Sequence, residues 1–328
     1  MISSLVREEE SNFRWFVIAP KGSPALQIFK KKGLGGIIVY SGREPNAAYW
    51  LKTISPDFLF RSTSWSNPGF ELAFSKEAKK WRVTTVCFLD HWCKFRERFG
   101  YPQRGWKDNL TDYIAVGDRA AFQHASALGL PNLIKVKNYY FYEIINRYKE
   151  PKPAGAYKRG KRLLVFSEPI SRRRVIPDGF NEFRLAEDVL NNFQGISRRY
   201  GVNNVTIRLH PSERKNKFNY LRNKFPDLKL NIEDPEEVNL ADSFRKAKLS
   251  IGFESMPLFV SYLINRPFIS YGPVVKDSNI PLPDEYRIQN FSFFPSVTAK
   301  RGQLAEKRLL FGRSYNLNSM LNAIRKRG

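Results

Sequence analysis

Short apolar runs alternate with amphipathic stretches along most of this chain. RWFVIAP (14–20), GGIIVYSG (35–42), DFLFRST (57–63), VTTVCFLD (83–90), YIAVG (113–117) and NLIKVKN (132–138) read as strands. Between them, SPALQIFKKKG (23–33), NAAYWLKTIS (46–55), ELAFSKEAKKW (71–81), RAAFQHASALG (119–129) and YYFYEIINRYKE (139–150) carry helical periodicity, with Asn46 as an N-cap. Strand and helix in turn, with short connections, predict a single parallel, doubly wound sheet for this first half.

The rhythm breaks at EPKPAGAYKRGK (150–161), where proline, glycine and basic residues replace the apolar period. A second series then starts. RLLVFSEP (162–169), NVTIRLHP (204–211), LKLNIE (228–233), LSIGFE (249–254) and RPFISYGP (266–273) are its strands. The helices are 181–200, KFNYLRNKF (217–225), NLADSFRKA (239–247) and SMPLFVSYLIN (255–265). The last 28 residues read as an amphipathic helical tail, with Leu317, Met320, Leu321 and Ile324 at three- and four-residue steps. The expectation is an α/β protein of two Rossmann-like domains with parallel sheets, facing across a cleft. The first spans residues 1–150, a linker 151–161, the second domain 162–300, and the tail 301–328.

Composition narrows the partners. The 328 residues carry a formal net charge of +24, which implies an anionic partner. The charge is clustered: Lys158, Arg159, Lys161, Arg162 and Arg172 to Arg174 flank the linker. The tail holds Lys300, Arg301, Lys307, Arg308, Arg313, Arg325, Lys326 and Arg327 against one acid, Glu306. Cys87 and Cys93 match no zinc or redox spacing, and no secretory signal or long apolar span is visible. A cytoplasmic protein is expected, held by its basic tail and linker at an anionic membrane surface. Nucleic acid is disfavoured, because the charges lie in linker and tail rather than interleaved with aromatics on a strand face.

Four strand ends carry candidate chemistry. His210 is one of three histidines, placed at a strand mouth and fixed by Pro211. It is suited to donate to a leaving phosphate oxygen, or else is a satisfied structural histidine. Thr206 and Arg208 share its strand face and alternate with Ile207 and Leu209, which puts Arg208 among the expected donor-binding residues. LSIGFESMPLF (249–259) runs from a strand through Gly252, Glu254 and Ser255 into a helix beginning near Met256 and Pro257. A helix N-terminus with a serine hydroxyl can hold an anion, and Glu254 can accept from ribose hydroxyls; the alternative is an ordinary N-cap with a solvated glutamate. Asp90 and His91 end a third strand and suit proton transfer, unless Asp90 caps a helix beside a packed Trp92. Glu168 follows a fourth, beside Arg172–Arg174 as ligand or ion-pair partner. No Walker loop, dinucleotide fingerprint, nucleophile elbow or metal motif is present, so no cofactor and no metal is expected.

The pattern of two Rossmann-like domains, His210-Pro211 at a strand end and GFESMPLF…RPFISYGP downstream resembles the GT-B glycosyltransferases. It is most similar to bacterial enzymes using CMP-activated sugars, the sialyl-, polysialyl- and Kdo-transferases. The CDP-glycerol glycerophosphotransferases share the arrangement. The resemblance implies that His210 stabilises the leaving phosphate, that Ser255 is the motif serine, and that Asp90 takes the place of the acceptor-side carboxylate. LDHW departs from the sialyltransferase pattern of two acids followed by glycine. The implied partners are a nucleotide-sugar donor and a glycan or lipid-linked acceptor.

Overall fold

The computed structural model describes residues 2–34, 37–40, 46–63, 69–149, 160–172, 176–275, 280–292, 295 and 308–326. Most of the expected linker, Arg173, Arg174 and the tail's Lys300, Arg301, Lys307 and Arg327 lie outside them. The chain divides into two units, Met1–Glu143 with Leu309–Gly328, and Ile144–Arg308.

In the first unit the strands β1 (Val17–Pro20), β2 (Ile37–Tyr40), β3 (Phe58–Arg61), β4 (Thr84–Leu89), β5 (Tyr113–Val116) and β6 (Leu133–Lys135) alternate with helices. These are α1 (Ile2–Glu8), α2 (Pro24–Lys31), α3 (Ala47–Ile54), α4 (Gly69–Lys80), α5 (Arg119–Ala127) and α6 (Tyr139–Lys149). All strand pairs are parallel, but they form two sets, β1-β2 and β3-β4-β5-β6. The single sheet expected here is therefore corrected. β1 and β3 are joined by side chains: Trp15 lies 5.7 Å from the Phe60 ring, and Ile18 and Leu59 pack on one cluster with Leu51 and Phe74.

The second unit holds β7 (Arg162–Phe166), α7 (Glu182–Asn191), α8 (Phe193–Tyr200), β8 (Asn204–Arg208), α9 (Tyr220–Lys224) and β9 (Leu230–Glu233). It continues through α10 (Leu240–Lys246), β10 (Ala247–Gly252), α11 (Met256–Leu263), β11 (Phe268–Tyr271) and β12 (Arg287–Ile288). Its strands form one parallel sheet in the order β12-β11-β10-β7-β8-β9. The chain steps outward from β7 to β9, returns, and steps outward from β10 to β12. The reversal between β7 and β10 is the doubly wound switch point, where loops diverge and leave room for a ligand. The stretch read as one helix over 181–200 is two. Asn192 turns its amide onto the Asp188 carbonyl at 2.8 Å, and such a side chain competes with the helical ladder.

The tail helix α12 (Leu317–Arg325) belongs to the first unit. Leu317, Met320, Leu321 and Ile324 are buried against Val86, Phe88, Ile134 and Tyr139. Asn316 caps the helix by accepting from the Ser319 N–H, and the Leu317 N–H donates to the Tyr139 hydroxyl at 2.7 Å. Burial, then the neighbouring Glu9 carboxylate, push the Tyr139 phenol far above its ordinary value, so it stays a donor to Glu9. The helix's apolar face is thus spent inside the protein. Met320→Ala should cost about 2–5 kcal/mol, the usual range for deleting a buried side chain. Chemical denaturation followed by tryptophan fluorescence measures it.

Candidate active site

The candidate residues of the second unit gather at the carboxyl ends of three adjacent strands, β8, β7 and β10. His210 follows β8, Glu168 follows β7, and Gly252 through Met256 form the turn from β10 into α11.

The loop after β8 is built around a carboxylate that the motif reading passed over. Glu213 has only 2% of its side chain exposed. It accepts from the His210 backbone N–H at 2.8 Å, the Ser167 hydroxyl at 2.9 Å and Lys217 Nζ at 2.7 Å. One acid therefore ties the loop after β7 to the loop after β8. Lys217 also donates to Glu182 at 2.5 Å, and Ser171 donates to Glu182 through its backbone N–H and its hydroxyl. Burial pulls the Glu182 carboxyl up, but the bonds from Lys217 and Ser171 outweigh it and hold the group below the usual carboxylate range.

This frame sets the His210 ring. Its Nδ1 receives the Ser212 N–H at 3.2 Å and lies 2.8 Å from the Ser212 hydroxyl. A nitrogen facing a backbone N–H presents its lone pair, so the neutral ring carries its proton on Nε2. That is the form able to donate to an anion. Beside the loop lies a cavity of about 550 Å³, lined by Pro169, Ser171, Phe183, Ser212 and Lys217 among others. Its size suits a small-molecule ligand.

The turn after β10 is tight. A Cβ on Gly252 would stand 3.2 Å from Phe166 Cβ and 3.3 Å from Ser255 Oγ, so glycine lets β10 and the end of β7 approach. Glu254 has φ of 32°, a left-handed conformation unfavourable for a residue with a side chain. Ser255 occupies the N-cap of α11, yet its side chain makes no capping bond. Its hydroxyl oxygen is buried and, among the described residues, has no hydrogen-bond partner. Met256 and Pro257 open the helix, whose first N–H groups point the same way as any α-helix start. A buried hydroxyl without a partner at a helix N-terminus is costly unless a ligand supplies an acceptor.

Two expectations are corrected by this geometry. Arg208 lies in the core, not at the mouth: Nη1 is 2.6 Å from Glu233 and 2.9 Å from the Ser243 hydroxyl. β8 is central and covered on both faces, so Thr206 and Arg208 are as buried as Ile207 and Leu209. Glu254 is not solvated and does not offer both oxygens outward. Its Oε1 is 2.5 Å from Arg287 Nη1, which braces the strained turn against β12.

In the first unit, Asp90 follows β4 with its side chain 45% exposed and paired to Arg98 at 3.1 Å. Arg98 in turn donates to the Thr63 carbonyl and hydroxyl. His91 turns the other way, its Nδ1 3.4 Å from the Cys93 sulfur. Trp92 is fully buried and donates to Asp118 at 3.0 Å, so the packed-Trp alternative holds for that residue. Asp118, not Asp90, caps a helix: it accepts from Ala121 at the start of α5. The residues missed from sequence, Ser167, Glu182, Glu213 and Lys217, lie within or close to the motifs. Glu213 and Lys217 are four apart, a spacing open to ion pairing.

No family model matches the chain, and neither does any curated protein. Solved structures do. UDP-GlcNAc 2-epimerase from Neisseria meningitidis, bound to UDP-GlcNAc, superposes with a TM-score of 0.58 at 10% identity, covering 99% of this chain and 96% of that one. The S. aureus MnaA–UDP structure gives 0.55 at 11% identity, covering 99% and 83%. A glycosyltransferase from Rickettsia africae gives 0.51 at 10% identity, covering 93% and 82%. At such identities the likeness establishes the fold: α/β, with two Rossmann-like units and parallel sheets, the GT-B type. The sequence resemblance pointed to CMP-sugar enzymes, whereas two of these neighbours carry UDP or a UDP-sugar.

Lys217 holds two buried carboxylates, so Lys217→Met should destabilise the unit most near neutral pH, where both are left buried without their cation. In the wild type the lowered Glu182 group contributes stability above about pH 4.3, the ordinary carboxylate value, and that stability is lost as pH falls through its folded value. Without Lys217 that contribution is missing, so denaturation followed by circular dichroism should show a stability gap from wild type that is large at pH 7 and narrows as pH falls below about 4.3.

Proposed function

We propose that this chain is a glycosyltransferase that moves a sugar from a nucleotide-activated donor to a glycan or lipid-linked acceptor. The observation carrying the proposal is the unpartnered, buried Ser255 hydroxyl at the N-terminus of α11, beside the switch point of the doubly wound sheet. It matches the demand of a donor phosphate for neutral, fixed donors. His210 stands just past the end of β8, the strand next to β7, with its proton on Nε2. In the proposed reaction the Ser255 hydroxyl and the first N–H groups of α11 bind the phosphate. His210 Nε2–H donates to the oxygen that takes up charge as the sugar bond breaks. Glu168 is proposed to contact the donor from the end of β7. Asp90, 3.1 Å from Arg98, takes the proton of the acceptor hydroxyl, with His91 as the candidate should Asp90 prove dispensable.

The motif resemblance favours a CMP-linked donor, and the structural neighbours favour a UDP-linked one; both are pyrimidine nucleotides. Transfer of glycerol phosphate from a CDP donor is the variant within the same class. A second reading is epimerisation of a UDP-sugar, favoured by the near-complete overlap with the Neisseria meningitidis epimerase. A non-enzymatic anionic-polymer binder is motivated only by the charge of +24. We place the enzyme in the cytoplasm, with exposed Arg313, Arg325 and Lys326 adding to an attraction for anionic membrane. Among the described residues no helix is long and apolar enough to cross a membrane.

The test is a donor panel of CMP-, CDP- and UDP-linked substrates, each with and without a glycan acceptor. Transfer requires the acceptor; epimerisation proceeds without it. His210→Ala should lower turnover by on the order of 100-fold or more with the fold intact. Ser255→Ala should weaken nucleotide binding by about 1–3 kcal/mol, read by calorimetry. Full turnover in a folded His210→Ala protein refutes the assignment.

A further inference from the structure

A buried cation of the first unit has no role in the chemistry above. Arg61 is the last residue of β3, at the carboxyl end of a parallel strand, where the fold places ligands. It is 4% exposed. Among the described residues, none of its three guanidinium nitrogens has a hydrogen-bond partner. Its guanidinium lies over the Phe99 ring, 5.0 Å from the centroid, which holds the plane in place.

Two neighbours act on its charge, the Cys87 thiol and the Glu71 carboxyl, and neither forms an ion pair with it. Across the ladder Arg61 is level with Cys87, and burial raises that thiol's pKa, so it stays uncharged. The Glu71 carboxyl is also pushed up by burial and takes its bond from the Ser62 hydroxyl at 3.4 Å. Among the described residues no carboxylate lies within ion-pair distance of Arg61. Arg98, the adjacent buried arginine, is by contrast fully used, by Thr63, Cys93 and Asp90. A buried guanidinium with its donors unmade and no ion-pair partner is one of the least favourable groups a fold can keep. Ser62 is exposed and Thr63 half-buried, so the chain reaches the surface directly after Arg61.

We propose that Arg61 is the receptor for an oxyanion, a carboxylate or phosphate of the substrate bound by the first unit. Its planar fork suits either group. The contact Arg98 makes to both Thr63 and Asp90 ties this loop to the carboxylate proposed to activate the acceptor. Calling the occupant the acceptor rests on the glycosyltransferase reading; the anion site itself does not.

The experiment uses the full chain with no donor present. Thermal unfolding is followed at constant ionic strength while chloride is replaced by inorganic phosphate in one arm and by glucuronate in the other. Wild type should gain several degrees in at least one arm, which identifies the anion. Arg61→Met should fold at least as stably as wild type in chloride and lose that gain. Arg61→Lys, a charge without the fork, should keep only part of it. Equal gains in wild type and Arg61→Met, no gain in either arm, or an Arg61→Met chain that no longer folds would overturn the proposal. If the anion effect holds while no donor in the panel is turned over, the site stands and the glycosyltransferase reading falls.

Discussion

The candidate site depends on one buried carboxylate. Glu213 accepts from the backbone of His210, from Ser167 and from Lys217, and these bonds bridge the loops leaving β8 and β7. A carboxylate hidden from water is tolerable only when it is both paired and hydrogen-bonded. Here both conditions are met by the groups that need positioning. The Lys217–Glu182 contact extends the frame to the start of α7, and Ser171 closes it. Glu213 thereby fixes the His210 backbone, and the Ser212 N–H two residues on sets the ring. The geometry that suits the ring for donating a proton comes from charge pairing beneath it.

The turn after β10 works on the opposite principle. There the fold keeps polar groups in unfavourable states: Glu254 at positive φ, and the Ser255 hydroxyl buried without an acceptor. Arg287 on β12 and the close packing of Gly252 on Phe166 hold the turn in this state. Strain and an unmade bond at two adjacent residues are what a binding site shows before its ligand arrives. Arg61 repeats the pattern in the first unit with a charge in place of a hydroxyl.

Much of this was legible in the sequence, because apolar period reports burial directly. Each strand and helix named from the period is present, usually trimmed at its ends. The split at Asn192 escaped notice because a side chain bonding its own helix leaves no mark on apolar spacing. The two sets of strands in the first unit were equally hidden, since Trp15–Phe60 packing substitutes for ladder bonds without altering either strand's pattern. Within the site, His210 and Ser255 stood out by residue type at strand ends. Arg208 is misplaced by the alternation, which implies two unlike faces. β8 is central, and both its faces are covered, with Glu233 of β9 supplying the counter-charge. Glu213 and Lys217 were invisible as a hub because their partners Ser167 and Glu182 come from elsewhere in the chain.

The central claim is that nucleotide phosphate binds against His210. With three histidines in the chain, imidazole resonances of the labelled full-length protein can be followed individually by two-dimensional NMR as CMP, CDP or UDP is added. The account predicts that one of these nucleotides shifts the His210 ring signals, keeps the proton on Nε2, and leaves His124, on α5 of the other unit, unmoved. Saturable nucleotide binding with His210 unshifted, or no binding of any of the three, would contradict it.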